Sequence, residues 1–265
     1  MRILLAEDID INRDVALGQL QRLGYTVDVV GDGNEVLEAI EFINYGVILM
    51  DCQMPKLDGY ETTRRIRGRE ANSDVAPIYI IAITAHANAG DREKCLSAGM
   101  DDYLSKPLRP AELRGALERA FTKIGQGTAG TAVPDAETAL SPARGAAIDA
   151  PVDMERLIEL TGGKPEALGT LADRYAREAD VMTQSLALAV RTGSAGEIKH
   201  WTHKLRGTSA TCGMIAVVPS LRELERLSGV GDLSATEQLF SEVTTQLGRM
   251  RQFLADYLRS TSAKS

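Results

Sequence analysis

Val47-Ile48-Leu49-Met50-Asp51, running into Cys52-Gln53-Met54-Pro55-Lys56-Leu57-Asp58-Gly59, is the stretch from which the N-terminal half can be read. Four apolar residues without polar alternation describe a strand covered on both faces. The run ends in one carboxylate and enters a turn marked by Pro55 and Gly59. In parallel α/β sheets, reacting groups collect at the C-terminal ends of strands. On this stretch alone, Asp51 either caps the turn or reacts.

Further runs of the same kind flank it. Ile3-Leu4-Leu5-Ala6 stops at Glu7-Asp8, Tyr25 to Val30 is strand-like, Ile78 to Ile83 stops at Thr84-Ala85, and Asp102 to Ser105 stops at Lys106-Pro107. Between them lie helical patterns. One carries Val15, Leu17, Leu20 and Leu23, a second spans Gly33 to Phe42, a third spans Tyr60 to Arg69, a fourth spans Ala89 to Ala98, and a fifth spans Pro110 to Phe121. Five strands alternating with five helices predict a doubly wound parallel sheet. Its strand ends then bring Glu7, Asp8, Asp51, Thr84 and Lys106 to one edge. Three clustered carboxylates repel one another unless a hard cation lies among them, and an all-oxygen set suits Mg²⁺. A lysine and a hydroxyl nearby would neutralise and hydrogen-bond a transferred phosphoryl group. Asp51 would be the nucleophile, giving an acyl phosphate.

In these residues, 1–123 resembles a response-regulator receiver domain. The resemblance implies a flavodoxin-like (βα)5 fold, Asp51 as phosphoacceptor, and Glu7, Asp8, Asp51 and the Gln53 backbone carbonyl as Mg²⁺ ligands. It also implies catalytic roles for Lys106 and Thr84, a Thr84/Tyr103 switch pair, and a cis bond at Lys106-Pro107. Gln53 and His86 fall at positions that tune acyl-phosphate lifetime. Ile9 departs from the Asn that many related receivers carry. His86 by itself reads as a solvated loop side chain, and Cys52 and Cys95 as small apolar residues.

Residues 124–148 are rich in Gly, Ala, Thr, Ser and Pro and have no apolar period, as in a flexible linker. Beyond it the pattern is helical: a short segment from Val152 to Leu160, then a long one opening at Lys164-Pro165. The long one carries Leu168, Leu171, Tyr175, Ala179, Met182, Leu186 and Ala189. Thr192-Gly193-Ser194 breaks the chain, with Ser194 placed to cap the next helix. That helix turns Ala195, Ile198, Thr202, Leu205, Ser209 and Cys212 inward. Leu221, Leu224 and Leu227 follow, and a last stripe runs from Leu233 to Tyr257. This pattern predicts an antiparallel four-helix bundle with a short additional N-terminal helix.

Within Trp201-Thr202-His203-Lys204-Leu205-Arg206-Gly207, His203 lies one position off the inward stripe, at the edge of the buried face with its ring reaching solvent. Lys199, Arg206 and Gly207 share its side. A helical glycine costs about 1 kcal/mol relative to alanine, and clearance for the imidazole is the expected return. Residues 149–260 resemble a histidine phosphotransfer domain through His203-Lys204-Leu205-Arg206-Gly207, with Arg206 in place of the usual lysine. By that register His203 is the phosphoacceptor, His200 is a solvated neighbour, and Trp201 is structural or partner-facing.

Together the resemblances imply a two-component phosphorelay protein without a kinase catalytic domain, whose receiver promotes its own phosphorylation and dephosphorylation. The alternative is a switch in which Asp51 controls docking of the His203 bundle without exchange. Implied partners are a sensor histidine kinase, a downstream response-regulator receiver, and a second copy in a receiver-mediated homodimer. A net charge of -7 over 265 residues with no long run of one sign argues against a nucleic-acid partner. Three scattered cysteines fit a reducing compartment, and without a signal peptide or a membrane-length apolar run the expectation is cytoplasmic, with no membrane insertion. Met1 directly before the first strand favours a standalone protein over the C-terminal piece of a hybrid kinase.

Overall fold

The computed structural model describes residues 2–71, 76–84, 89–125 and 150–262. The chain divides into two compact units, Met1–Ala136 and Glu137–Ser265. Most of the expected linker, and His86, lie outside the described residues. Among those described, no helix is long and apolar enough to cross a membrane.

The first unit alternates β1 (Ile3–Ala6), α1 (Asp10–Arg22), β2 (Val27–Val30), α2 (Gly33–Phe42), β3 (Val47–Asp51), α3 (Gly59–Glu70), β4 (Tyr79–Thr84), α4 (Ala89–Ser97), β5 (Asp102–Ser105) and α5 (Pro110–Gly125). The strands form one parallel sheet in the order β2-β1-β3-β4-β5. Alternation along each strand supplies two cores. Ile3, Leu5, Val47, Leu49, Ile81 and Ile83 pack on one face with Ala16 and Leu20 of α1 and Leu113, Ala116 and Leu117 of α5. Leu4, Ala6, Ile48, Met50, Ile80 and Ala82 pack on the other with Val36, Leu37 and Ile66. Each such leucine or isoleucine contributes about 1.5–3 kcal/mol by leaving water. Two-sided burial is why β3 reads as an unbroken apolar run.

Some local expectations shift. The buried face of α1 is Ile11, Asn12, Ala16, Gln19 and Leu20, whereas Val15 and Leu17 are only partly buried. Buried polar groups hid that face: Gln19 Nε2 donates to the Leu108 carbonyl at 3.1 Å, so the donor end of its amide is satisfied inside. Helix α5 runs on to Gly125, past the expected start of the linker, because Ile124 packs against the first core.

The second unit comprises α6 (Met154–Thr161), α7 (Pro165–Thr192), α8 (Ala195–Thr211), a 3₁₀ turn (Ile215–Val217), α9 (Val218–Gly229) and α10 (Thr236–Ser262). Helix α8 packs on α7 and α9, and α10 on both α7 and α9, as expected of a four-helix bundle. The short α6 is capped by Asp153, whose carboxylate accepts from the Arg156 amide, and ends on Gly162 in the left-handed region. It docks on the end of α8 through the Asp153 amide, which donates to the Gly213 carbonyl at 2.7 Å. The inward stripe of α7 is the expected one except that Ala172 is buried in place of Leu171. Ser194 precedes α8 but its hydroxyl makes no capping bond. The helix is held instead by packing, including Tyr175 Oη to Ser209 Oγ at 2.8 Å.

Candidate functional site

At the C-terminal edge of the parallel sheet, β1 delivers Glu7 and Asp8, and β3 ends in Asp51. One oxygen from each of these three carboxylates lies within 4.8 Å of the others. Lys106, just past β5, reaches across them. Its Nζ donates to Glu7 Oε2 at 2.6 Å and to Asp51 Oδ2 at 2.7 Å. The second oxygen of Glu7 accepts from Asn12 Nδ2 at 3.1 Å, and Asp51 Oδ1 accepts from the Gln53 amide at 3.1 Å. Thr84, 5% exposed, closes β4 on the same edge, and the Lys106-Pro107 bond is cis as expected. Tyr103, paired in register with Ala82, is half-buried against the second core. Ile9 is buried at the start of α1.

Charge in this pocket is unbalanced. Burial pushes the Glu7 carboxyl up to about 7 against the attraction of Lys106, and the Asp51 carboxylate adds to the rise. Burial also works against the Lys106 ammonium, but Asp51 and Glu7 outweigh it and hold its pKa above the usual lysine range. One lysine therefore does not neutralise three carboxylates. An all-oxygen donor set in which the buried Glu7 carboxyl still resists ionisation fits a hard divalent cation.

The turn after Asp51 is built by close approach. A Cβ on Gly59 would lie 2.2 Å from the Asp51 carbonyl oxygen, and the Gly59 amide donates to the Cys52 carbonyl at 3.2 Å. Lys56 adopts φ 63°, a left-handed conformation costing a side chain about 1–2 kcal/mol. Its Nζ is bonded at 2.5 Å to Asp32, the buried carboxylate that caps α2, which offsets part of that cost. Asp58 caps α3, accepting from the Glu61 amide at 2.7 Å. Asp51 caps no helix, but its Oδ1 caps the turn through the Gln53 amide, which leaves Oδ2 to Lys106.

In the helical unit, His203 departs from expectation in its exposure. It is only 9% exposed, as is Lys204, and Arg206 is 5% exposed. Its Nδ1 lies 2.7 Å from Glu225 Oε1, and Arg206 Nε donates to Glu225 Oε2 at 2.7 Å. Glu225, on α9, is held well below the usual carboxylate range. Burial opposes its charge, yet His203 and Arg206 bring its pKa to about 2. An ionised carboxylate can only accept, so Nδ1 carries the hydrogen, and in the neutral ring the lone pair then lies on Nε2. The structure thus joins Arg206 to His203 through Glu225. Lys199 is exposed, with Cε near Gly229 of α9. Gly207 is buried within α8. His200 is half-buried and edge-on to Trp201, whose indole donates to Glu197 at 3.1 Å.

Asn12 and Glu225 are the site residues that sequence reasoning missed. A signal existed for Glu225: it follows Leu221 by four and Leu224 by one, which puts a carboxylate beside an apolar stripe where it needs a partner.

Two family models match the chain: the response regulator receiver domain over residues 3–118 and the Hpt domain over residues 170–253. The chain is 40% identical, over 46% of its length, to 10% of hybrid signal transduction histidine kinase K of Dictyostelium discoideum. It is 28% identical along its whole length to 32% of the aerobic respiration control sensor protein ArcB of Escherichia coli O157:H7. It therefore spans a third or less of these relatives. Among solved structures, the receiver domain of a Pseudomonas aeruginosa sensor histidine kinase, with a magnesium ion in its active site cleft, is 47% identical. That likeness covers 46% of this chain and 98% of the other, with a TM-score of 0.42.

Proposed function

Because this chain joins a response regulator receiver domain to an Hpt domain, we propose that it is a two-component phosphorelay protein in which Asp51 and His203 are successive phosphoryl carriers. We place the receiver at 1–123, the linker at 124–148 and the Hpt domain at 149–260. One observation carries the reading: two acceptors of complementary chemistry, a carboxylate in an acidic pocket bridged by Lys106 and an imidazole with its tautomer set by Glu225.

An Asp51 oxygen attacks the phosphorus of a sensor kinase phosphohistidine, the P–N bond breaks, and the kinase imidazole leaves with the electron pair. Lys106, already beside Asp51, neutralises oxygens of the incoming group, and the Thr84 hydroxyl donates to another. Glu7, Asp8, Asp51 and the Gln53 carbonyl would hold Mg²⁺, which when bound screens the negative charge gathered in transfer. Exchange follows between His203 and an aspartate of this or another receiver. The Nε2 lone pair attacks phosphorus, the P–O bond to the aspartate breaks, and the carboxylate is restored. Phosphorylated at Nε2 and protonated at Nδ1, the ring is cationic, and the Glu225 carboxylate stabilises that charge. Glu225 is a positioning residue, and Arg206 holds it in place. Partners of this kind are a sensor histidine kinase and a downstream receiver. Tyr103 follows Thr84 in the switch between phosphorylated and free receiver, and the same face serves a receiver-mediated homodimer. The cytoplasm is the compartment this chemistry needs.

A phosphotransfer time course with wild type, Asp51→Asn and His203→Gln, using radiolabelled phosphate and candidate kinases and receivers, tests the proposal. With a kinase as donor, Asp51→Asn should leave both carriers unlabelled and His203→Gln should retain label on Asp51 alone, while a phosphorylated receiver should still load His203 in Asp51→Asn. Unchanged exchange through His203→Gln would overturn it.

A further inference from the structure

Cys52 and Cys95 were expected to be inert packing residues. They are neighbours: Cys52 follows the phosphoacceptor Asp51 and Cys95 lies in α4, with Sγ atoms 3.8 Å apart. Both are buried in the second core, 3% and 1% exposed, and Tyr60 packs against the same cluster. A disulfide has its sulfurs about 2.05 Å apart, so the pair need close by only about 1.8 Å. The attachment of α4 bears on how that happens. Of its described side chains from residue 90 to 97, Cys95 alone is buried. A nine-residue helix anchored mainly by Cys95, with buried Ala98 and Met100 only beyond its end, opens more readily than the sheet it packs on, which exposes that thiol to small reagents. The third cysteine, Cys212, is 0% exposed in the helical unit and provides an internal comparison.

The geometry points to Cys52–Cys95 as an oxidation site at which a peroxide-class oxidant joins the two sulfurs into a disulfide that ties α4 to the residue beside Asp51. One thiolate attacks the peroxide O–O bond, giving a sulfenic acid and hydroxide. The second thiolate then attacks the sulfenic sulfur, the S–S bond forms, and the sulfenic oxygen leaves as hydroxide. The two protons released by the thiols convert both hydroxides to water. Peroxide is reduced and the thiol pair is oxidised. The closed bond replaces one weak packing contact with a covalent anchor, so local opening of α4 is suppressed. Neither consequence depends on the phosphorelay reading.

The test treats the full native chain with hydrogen peroxide, blocks remaining thiols with a maleimide under denaturing conditions, and maps peptides by mass. The expected product is a peptide pair joining Cys52 to Cys95, two hydrogens lighter than its reduced parts and split by a reductant, with Cys212 recovered as the adduct. Hydrogen exchange of α4 amides in the linked protein should slow by about tenfold or more relative to the reduced protein. Recovery of Cys52 and Cys95 as separate adducts or sulfinic acids would overturn the site, as would a pairing that includes Cys212. Unchanged α4 exchange in the linked form would overturn the anchor. Cys95→Ser should abolish the linked peptide. Should that variant fail to fold, the wild-type map decides alone.

Discussion

Replacing Glu225 with glutamine tests how the helical unit prepares its histidine. The wild-type carboxylate receives Nδ1 of His203 on one oxygen and Nε of Arg206 on the other, each at 2.7 Å. An amide of the same shape has one accepting oxygen and no charge, so it cannot keep both bonds or balance a cationic phosphoimidazole. A hydrogen bond to a charged group contributes about 1.5–3 kcal/mol, and each 1.36 kcal/mol is a factor of ten in rate. Transfer to Glu225→Gln should therefore slow by about 10- to 150-fold. The assay is loading of His203 from a phosphorylated receiver, followed with radiolabelled phosphate in an Asp51→Asn background so that the label reports His203 alone. Nitrogen chemical shifts of the His203 ring supply a second readout that a purely structural role would not move. The wild type should hold the tautomer with hydrogen on Nδ1, and the variant should lose that preference. A variant that folds, transfers at the wild-type rate and keeps the tautomer would refute the reasoning.

The same carboxylate sets an acid limit on the helical unit. A folded pKa of about 2 against an ordinary 4.5 means that its stabilisation is present above about 4.5 and is lost as pH falls through about 2. The loss is worth about 3 kcal/mol at 1.36 kcal/mol per unit. Urea unfolding across that window should show it, and Glu225→Gln should flatten it. In the receiver, Lys106→Ala leaves Glu7 and Asp51 buried without their shared cation and should cost about 3–5 kcal/mol in metal-free buffer, by urea denaturation. Adding Glu7→Gln should recover part of that loss. Two glycines should respond oppositely to alanine. Gly59→Ala drives a methyl into the Asp51 carbonyl and should cost at least about 1–3 kcal/mol while lowering Asp51 phosphorylation. Gly18→Ala in α1, where nothing lies within 4 Å, should raise stability by about 0.5–1 kcal/mol in thermal melts.

Much of the first unit was legible from residue order because its signals are local. A strand buried on both faces is an apolar run, and a parallel sheet places every strand end on one edge. Glu7, Asp8, Asp51, Thr84 and Lys106 could therefore be assembled from their places after Ala6, Met50, Ile83 and Ser105 alone. The bundle was legible too, since the spacing of Leu168, Tyr175, Ala179, Met182 and Leu186 holds for the full length of α7. What hid was polar and buried. Asn12 and Gln19 belong to the inward face of α1, yet a reading by hydrophobicity passes over them and moves the face to Val15 and Leu17.

The sequence by itself determined the order of elements and the set of groups at the sheet edge, because periodicity and strand ends are properties of neighbours along the chain. Only the tertiary structure decided which partners those groups take. Lys106 chooses Glu7 and Asp51 across 99 and 55 positions, and Glu225 comes to His203 from 22 positions away on another helix. Cys52 meets Cys95 across 43. Such pairings depend on distances of a few ångströms between separate elements. Packing sets those distances, and no local pattern encodes them.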